Sequence, residues 1–254
     1  MTPPTILLTN DDGIRAPGLT HLAEALSGLG NIFVYAPDRQ RSAVGHGVSL
    51  HHPLRVTETQ SGWYMIDGTP ADCMILAVRK LLGCRPDLVV SGINPGANLG
   101  DDVTYSGTVA GAFEGMLLGI PSFAISIISS HPNSYEPTKR VASCVAEYIL
   151  NTGLPKDVML NVNVPNQPLE SIAGMALTSM GRRNYQDEIV ERKDPRNGTY
   201  YWIGGAEPDH YIHEGSDFEA IHRNQVSITP LRRNITDYDA LEVLRSAFTC
   251  PDSL

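Results

Sequence analysis

Two adjacent carboxylates, Asp11 and Asp12, stand in the run Thr9-Asn10-Asp11-Asp12-Gly13, directly after the apolar stretch Thr5-Ile6-Leu7-Leu8. Like charges that close raise each other's pKa, and a divalent cation relieves the cost better than water does. Two further oxygen donors follow apolar runs of their own: Ser42 in Asp38-Arg39-Gln40-Arg41-Ser42, and Asn94 in Ser91-Gly92-Ile93-Asn94. All-oxygen ligation without His or Cys suits one Mg2+ or Mn2+ ion and leaves coordination positions for water and a phosphate oxygen. Each residue alone has a plainer reading: a solvated turn with a helix cap for the aspartates, a turn hydroxyl for Ser42, an Asn-Pro turn for Asn94. Their common position, each after a strand-like run, is what joins them.

The loop around Asn94 adds a second feature. Gly92, Gly96 and Gly100 let the backbone come close to a ligand. Ser106-Gly107-Thr108 then opens a helix, offering free amides and hydroxyls at the positive end of its dipole. That is a phosphate cradle or an ordinary capped helix. It is not a P-loop, whose Lys is absent. A phosphate held between a divalent ion and helix amides implies phosphomonoester hydrolysis, in which charge stabilisation matters more than covalent chemistry. Asp11 and Asp12 are the candidate catalytic carboxylates. An aspartyl-phosphate nucleophile and a base for water both stay open at this point. Arg39 and Arg41 are candidates for assisting an anionic substrate. His46, His51, His52, His210 and His213 lack diagnostic ligand spacing and read as surface or satisfied residues.

These groups need a frame that brings strand ends together. Leu19, Leu22, Ala23 and Leu26 have the one-faced spacing of an amphipathic helix, and Ile32 to Ala36 reads as a second buried strand. Strand, helix and strand in that length make a right-handed unit with parallel strands, so the Ser42 loop shares an edge with Asp11. Val48–Leu50, Leu54–Thr57 and Trp63–Ile66 read as antiparallel strands inserted beside the sheet. Thr69 and Pro70 start a helix to about Leu82. Residues 87–90 and 123–127 are further core strands, the first opening into the loop 91–102. Between them a helix starts at residues 105–108. A helix over 138–150 and a strand over 159–164 complete the alternation. Beyond Pro165, a strand at 174–178, a long hairpin through 182–203, a strand at 226–229 and a last helix capped by Thr236 or Asp237 are expected. The hairpin, aromatic at its base, suits packing against another subunit.

The chain has 254 residues with a formal net charge of −9, and no basic block offsets the acidity. This argues against binding to DNA or RNA polymers. Cys73, Cys84, Cys144 and Cys250 show no C-x-x-C spacing and read as reduced, structural thiols. No signal segment is evident and no apolar run approaches the ~20 residues that span a bilayer. A cytoplasmic protein with no membrane association is the expectation.

Together the motifs resemble the survival protein SurE family. The resemblance rests on Asn10-Asp11-Asp12-Gly13, Ala16-Pro17-Gly18, Pro37-Asp38-Arg39 with Ser42, Gly68-Thr69-Pro70-Ala71-Asp72-Cys73, and Ser91-Gly92-Ile93-Asn94 through Asn98-Leu99-Gly100. Tyr105-Ser106-Gly107-Thr108 and Glu114-Gly115 continue it, and Ile228-Thr229-Pro230-Leu231 extends it weakly. The resemblance implies a metal-dependent nucleotidase acting on nucleoside 5'- and 3'-monophosphates, with short polyphosphate as a further candidate substrate. It implies a cation held by Asp11, Asp12, Ser42 and Asn94, with Asn98, Ser106 and Thr108 around the phosphate. It also implies a Rossmann-like three-layer α/β sandwich on a mostly parallel sheet. Residues 1–254 then form one such domain, with a core over about 5–165. The hairpin and oligomerisation extension covers about 166–254, and family members are dimers or tetramers.

Two rivals compete. A receiver-like signalling module wants a phosphorylatable Asp ending the third core strand and a Lys ending a later one. Here the third strand ends in Ser91-Gly92, and no Lys follows Ser126-Ile127. A non-catalytic nucleotide- or phosphate-binding protein is permitted by the glycine-rich loop. Phosphate release separates it from an enzyme.

Overall fold

The computed structural model describes residues 2–184, 189–203 and 209–248. The apolar runs form the strands β1 (Thr5–Thr9), β2 (Asn31–Pro37), β5 (Leu88–Pro95), β6 (Ser122–Ile128) and β7 (Val158–Pro165). With β3 (Val56–Gln60), β4 (Trp63–Ile66), β8 (Met175–Leu177) and β13 (Val226–Arg232) they make a nine-stranded sheet in the order β3-β4-β2-β1-β5-β6-β7-β13-β8. Pairing is parallel from β4 through β7, and β13 runs antiparallel to β7. Because alternate residues of a strand face opposite sides, each strand feeds two cores. Ile6 and Leu8 pack with helices α1 (Pro17–Leu26) and α4 (Glu136–Thr152) on one face. Leu7 and Val89 pack with α2 (Pro70–Leu76) on the other, where Val109, Ala112 and Met116 of α3 (Gly107–Leu117) meet Ala124, Met159 and Leu231. The result is the three-layer α/β sandwich expected.

Helix starts follow their caps. Thr69 and Asp72 exchange bonds as a capping box, with the Asp72 amide donating to Thr69 Oγ1 at 3.2 Å and the Thr69 amide donating to Asp72 Oδ2 at 2.9 Å. A π-helical turn, Ala77–Leu81, carries this helix to the anticipated end. Gly18, inside the first turn of α1, lies so close to β5 that a Cβ there would sit 2.0 Å from the Ile93 carbonyl oxygen. Only glycine lets α1 descend onto that strand.

Three expectations change. Residues 48–50 are not a strand. Instead the Ser49 amide and hydroxyl donate to Asp72 at 2.9 and 2.7 Å, so this segment is tied to the start of α2 rather than to a neighbouring strand. The Trp63–Ile66 strand is not beside the sheet but within it, parallel to β2, with only β3 antiparallel at the edge. The third core strand runs on through Pro95, so Asn94 belongs to β5 and not to a loop. A register shift between Ser91 and Asn94 against β6 marks the transition.

The late elements agree with the reading. β10 (Ile189–Lys193) and β11 (Thr199–Ile203) form an antiparallel hairpin, and β9 (Arg182–Asn184) pairs with β12 (Asp209–Tyr211). Residues 185–188, within the expected hairpin, and 204–208, just beyond it, lie outside the described residues. A short helix α5 (Asp217–His222) precedes β13, and Asp237 caps α6 (Tyr238–Ala247) by accepting from the Ala240 amide at 2.9 Å. Cys73, Cys84 and Cys144 are free thiols, and Cys250 lies outside the described residues. Among the described residues no helix is long and apolar enough to cross a membrane.

Candidate active site

The aspartates leave β1 in a loop closed by its own first residue. Asn10 Nδ2 donates to the Gly13 carbonyl at 3.0 Å, and the Gly13 amide donates to Asn10 Oδ1 at 3.2 Å. The neighbouring strand end is bound to the same loop. The Ile14 amide donates to the Pro37 carbonyl at 2.8 Å, and the Arg41 amide donates to the Asp11 carbonyl at 2.6 Å. Ser42 therefore sits one residue from a direct backbone link to Asp11. It is exposed, and its Oγ accepts from Gln40 Nε2 at 2.9 Å.

Asp11 is 5% exposed, and the buried Thr108 hydroxyl donates to its Oδ1. Burial pushes the Asp11 carboxyl up, with hydrogen bonds from Thr108 pulling the other way. The approach of α3 depends on Gly107, where a Cβ would lie 2.7 Å from Asp11 Cβ. Asp12 is pushed up to about 7, first by burial and then by the charge of Asp11. Its Oδ2 is buried and has no hydrogen-bond partner among the described residues. Two carboxylates that resist ionisation, one with an orphaned oxygen, make a donor pair that fits a divalent cation. The described residues hold no cluster of three or more His, Cys, Asp or Glu with metal-ligand geometry, so further donors would be neutral oxygens. Asn94 fits that requirement. Its Nδ2 donates to the Gly96 carbonyl at 2.9 Å, which leaves Oδ1 as the acceptor end.

Asn98 is held from below by β6 and β7. Its Nδ2 donates to Ser126 Oγ at 2.7 Å and its amide donates to Asn163 Oδ1 at 2.9 Å. Its carbonyl accepts from Asn161 Nδ2 at 2.8 Å and Asn163 Nδ2 at 3.0 Å. Asp217 extends the anchorage by accepting from the Gly100 amide at 2.8 Å. Ser106 is the N-cap of α3, its Oγ accepting from the Val109 amide at 3.1 Å. The cap is thus formed, and the hydroxyl proton is still free to be donated. Arg41 is already bound, Nη2 donating to Asp38 Oδ1 at 3.0 Å and to the Asp67 carbonyl at 3.1 Å, whereas Arg39 is exposed.

The matching family model, described as survival protein SurE, covers residues 6–187. The chain belongs to the SurE family. It is 51% identical over 242 residues to a protein named 5'-nucleotidase SurE from Geobacter sulfurreducens, spanning 95% of this chain and 92% of that protein. It is likewise 51% identical over 240 residues to the 5'-nucleotidase SurE of Pelobacter propionicus, spanning 94% and 97%. The crystal structure of the SurE protein from Aquifex aeolicus superposes with a TM-score of 0.86 at 43% identity, covering 96% of this chain and 99% of that one. The likeness to other SurE proteins therefore includes the C-terminal extension, where the motif resemblance is weak.

In this SurE fold, sequence reasoning missed a pair that reading along the chain could not join. His46 Nε2 lies 2.8 Å from Glu114 Oε2, and its ring meets Phe113 edge-on at 5.4 Å between centroids. Glu114 is buried, and 68 positions of chain separate the two. Of the other histidines, His213 Nε2 lies 3.1 Å from Ser179 Oγ, His51 and His52 are exposed, and the His210 side chain lies outside the described residues.

Proposed function

We propose that this protein is a divalent-metal-dependent nucleotidase that removes phosphate from nucleoside 5'- and 3'-monophosphates. The observation that carries the reading is the Asp11–Asp12 pair, a buried carboxylate against the N-terminus of α3 beside a half-buried one whose Oδ2 is unpartnered among the described residues. Relatives named 5'-nucleotidase SurE support the substrate class.

In this reading Asp11, Asp12, Ser42 and Asn94 hold one Mg2+ or Mn2+ ion. When bound, the ion polarises the phosphate and makes water more acidic. The chain's own residues do the rest. The Gly107 amide and the Ser106 hydroxyl, at the positive end of α3, receive phosphate oxygens where negative charge grows. Asn98, fixed by four hydrogen bonds, stands at the loop edge to orient them. Thr108 holds Asp11 in place through its hydroxyl. Asp11, with Oδ1 engaged and little exposure, is poorly set for in-line attack, which assigns the nucleophile to water.

A phosphate-release screen across nucleoside monophosphates, short polyphosphates and sugar phosphates with several divalent metals tests the proposal. Release from nucleoside monophosphates that stops on chelation is expected. No release with any metal would favour a binding protein instead.

A further inference from the structure

Asp217, at the start of α5, is fully buried, and its carboxylate gathers backbone amides from distant stretches of the chain. Oδ2 accepts from the Gly100 amide at 2.8 Å, 117 positions away. Oδ1 accepts from the Gly181 amide at 2.8 Å and from the neighbouring Phe218 amide at 2.9 Å. The Phe218 ring fills the same joint: a Cβ at Gly181 would lie 2.4 Å from it, and one at Gly100 2.8 Å. Gly181 leads directly into β9, which pairs with β12, and the chain between those two strands carries β10 and β11. Gly100 follows the Asn98 loop and opens a 3-10 turn, Gly100–Thr104, that leads to the Ser106 cap of α3.

The base of this hairpin region and α5 are stitched by main-chain bonds as well. The Ser179 amide donates to the Gly215 carbonyl and the Asp217 amide to the Ser179 carbonyl, both at 2.9 Å. Toward the loop, carboxylates make the bonds. Besides Asp217, Asp101 Oδ2 accepts from the Arg183 amide at 2.9 Å, and Asp102 pairs with the Arg183 guanidinium. We infer that Asp217 is a positioning residue: it fixes the segment 98–104 to the base of the hairpin region, so that nucleotide affinity depends on how that base is held. The inference rests on the phosphomonoesterase reading above, which puts Asn98 at the phosphate. A carboxylate suits the joint because it only accepts hydrogen bonds, and the groups that meet it here are N–H donors.

Asp217→Asn keeps the shape but offers one acceptor oxygen and one NH2 group. With the oxygen kept by Gly181 and Phe218, the NH2 meets the Gly100 amide donor to donor, and the loop is released. Hydrogen exchange across residues 98–104 is expected to quicken by at least about fivefold. KM for adenosine 5'-monophosphate with Mn2+ is expected to rise by about fivefold with kcat held within about twofold, since Asn98 meets the phosphate alike before and during reaction. Arg183→Ala cuts the joint from the hairpin side with Asp217 intact, and is expected to move both readouts in the same direction by at least about threefold. Exchange and KM within about twofold of wild type in both variants overturn the link. Simple loss of folded protein would lower kcat at unchanged KM, and that result in Asp217→Asn overturns the positioning role. If wild type releases no phosphate, the phosphomonoesterase reading falls by itself and exchange alone decides the link: quickened in both variants, it stands; unchanged, it falls.

Discussion

Asp12 carries the most informative single-residue chemistry. Its folded-state pKa, pushed up to about 7 from an ordinary value of 3.8, means that the folded protein holds a proton that the unfolded chain gives up. Between those values the metal-free fold loses stability as pH rises, because the unfolded state releases the proton first. A cation needs the ionised form and so competes with that proton. Apparent Mg2+ or Mn2+ affinity, measured by calorimetry, is therefore expected to rise by about tenfold per pH unit below pH 7 and to level off above it. Affinity independent of pH would show that Asp12 is not a ligand. The pair itself was legible in sequence because adjacent carboxylates after an apolar run are unusual. The Thr108 hydroxyl on Asp11 was not, since 97 positions separate them and only the fold chooses the partner.

At the scale of elements, strands β1, β2 and β5 bring Asp11, Ser42 and Asn94 to one edge. β1, β2, α1 and α2 were readable from apolar period and caps. The continuation of β5 was not: Ser91-Gly92 looks like a loop, yet it lies between β1 and β6 on both sides. Residues 48–50 misled in the opposite direction, because their alternation matches a strand while Ser49 bonds to α2. The Asn161–Asn163 pair in β7 is an element-scale device that holds the Asn98 loop. Asn163→Leu keeps the volume but leaves the buried Asn98 amide without its acceptor. Unfolding in urea is expected to show a loss of about 1–3 kcal/mol, with a raised KM for nucleotide. A loss below about 0.5 kcal/mol with unchanged KM would show that the loop is held by other contacts.

At the scale of the molecule, the β10–β11 hairpin exposes Tyr201, Trp202 and Ile203. An exposed aromatic and apolar strand end in water invites burial against another copy, so a homodimer or homotetramer is the proposed assembly. Light scattering of Trp202→Glu is expected to show a smaller species than wild type. An unchanged mass would remove the hairpin from the interface. The acidic chain, at −9 overall, also makes local cation binding the simplest way to receive an anionic substrate. The most direct test pairs metal titration with phosphate release from a nucleoside monophosphate in wild type and Asp11→Asn. The variant is expected to stay folded, lose metal binding and release phosphate at least about a thousandfold more slowly. A folded Asp11→Asn that hydrolyses the nucleotide at the wild-type rate would contradict it.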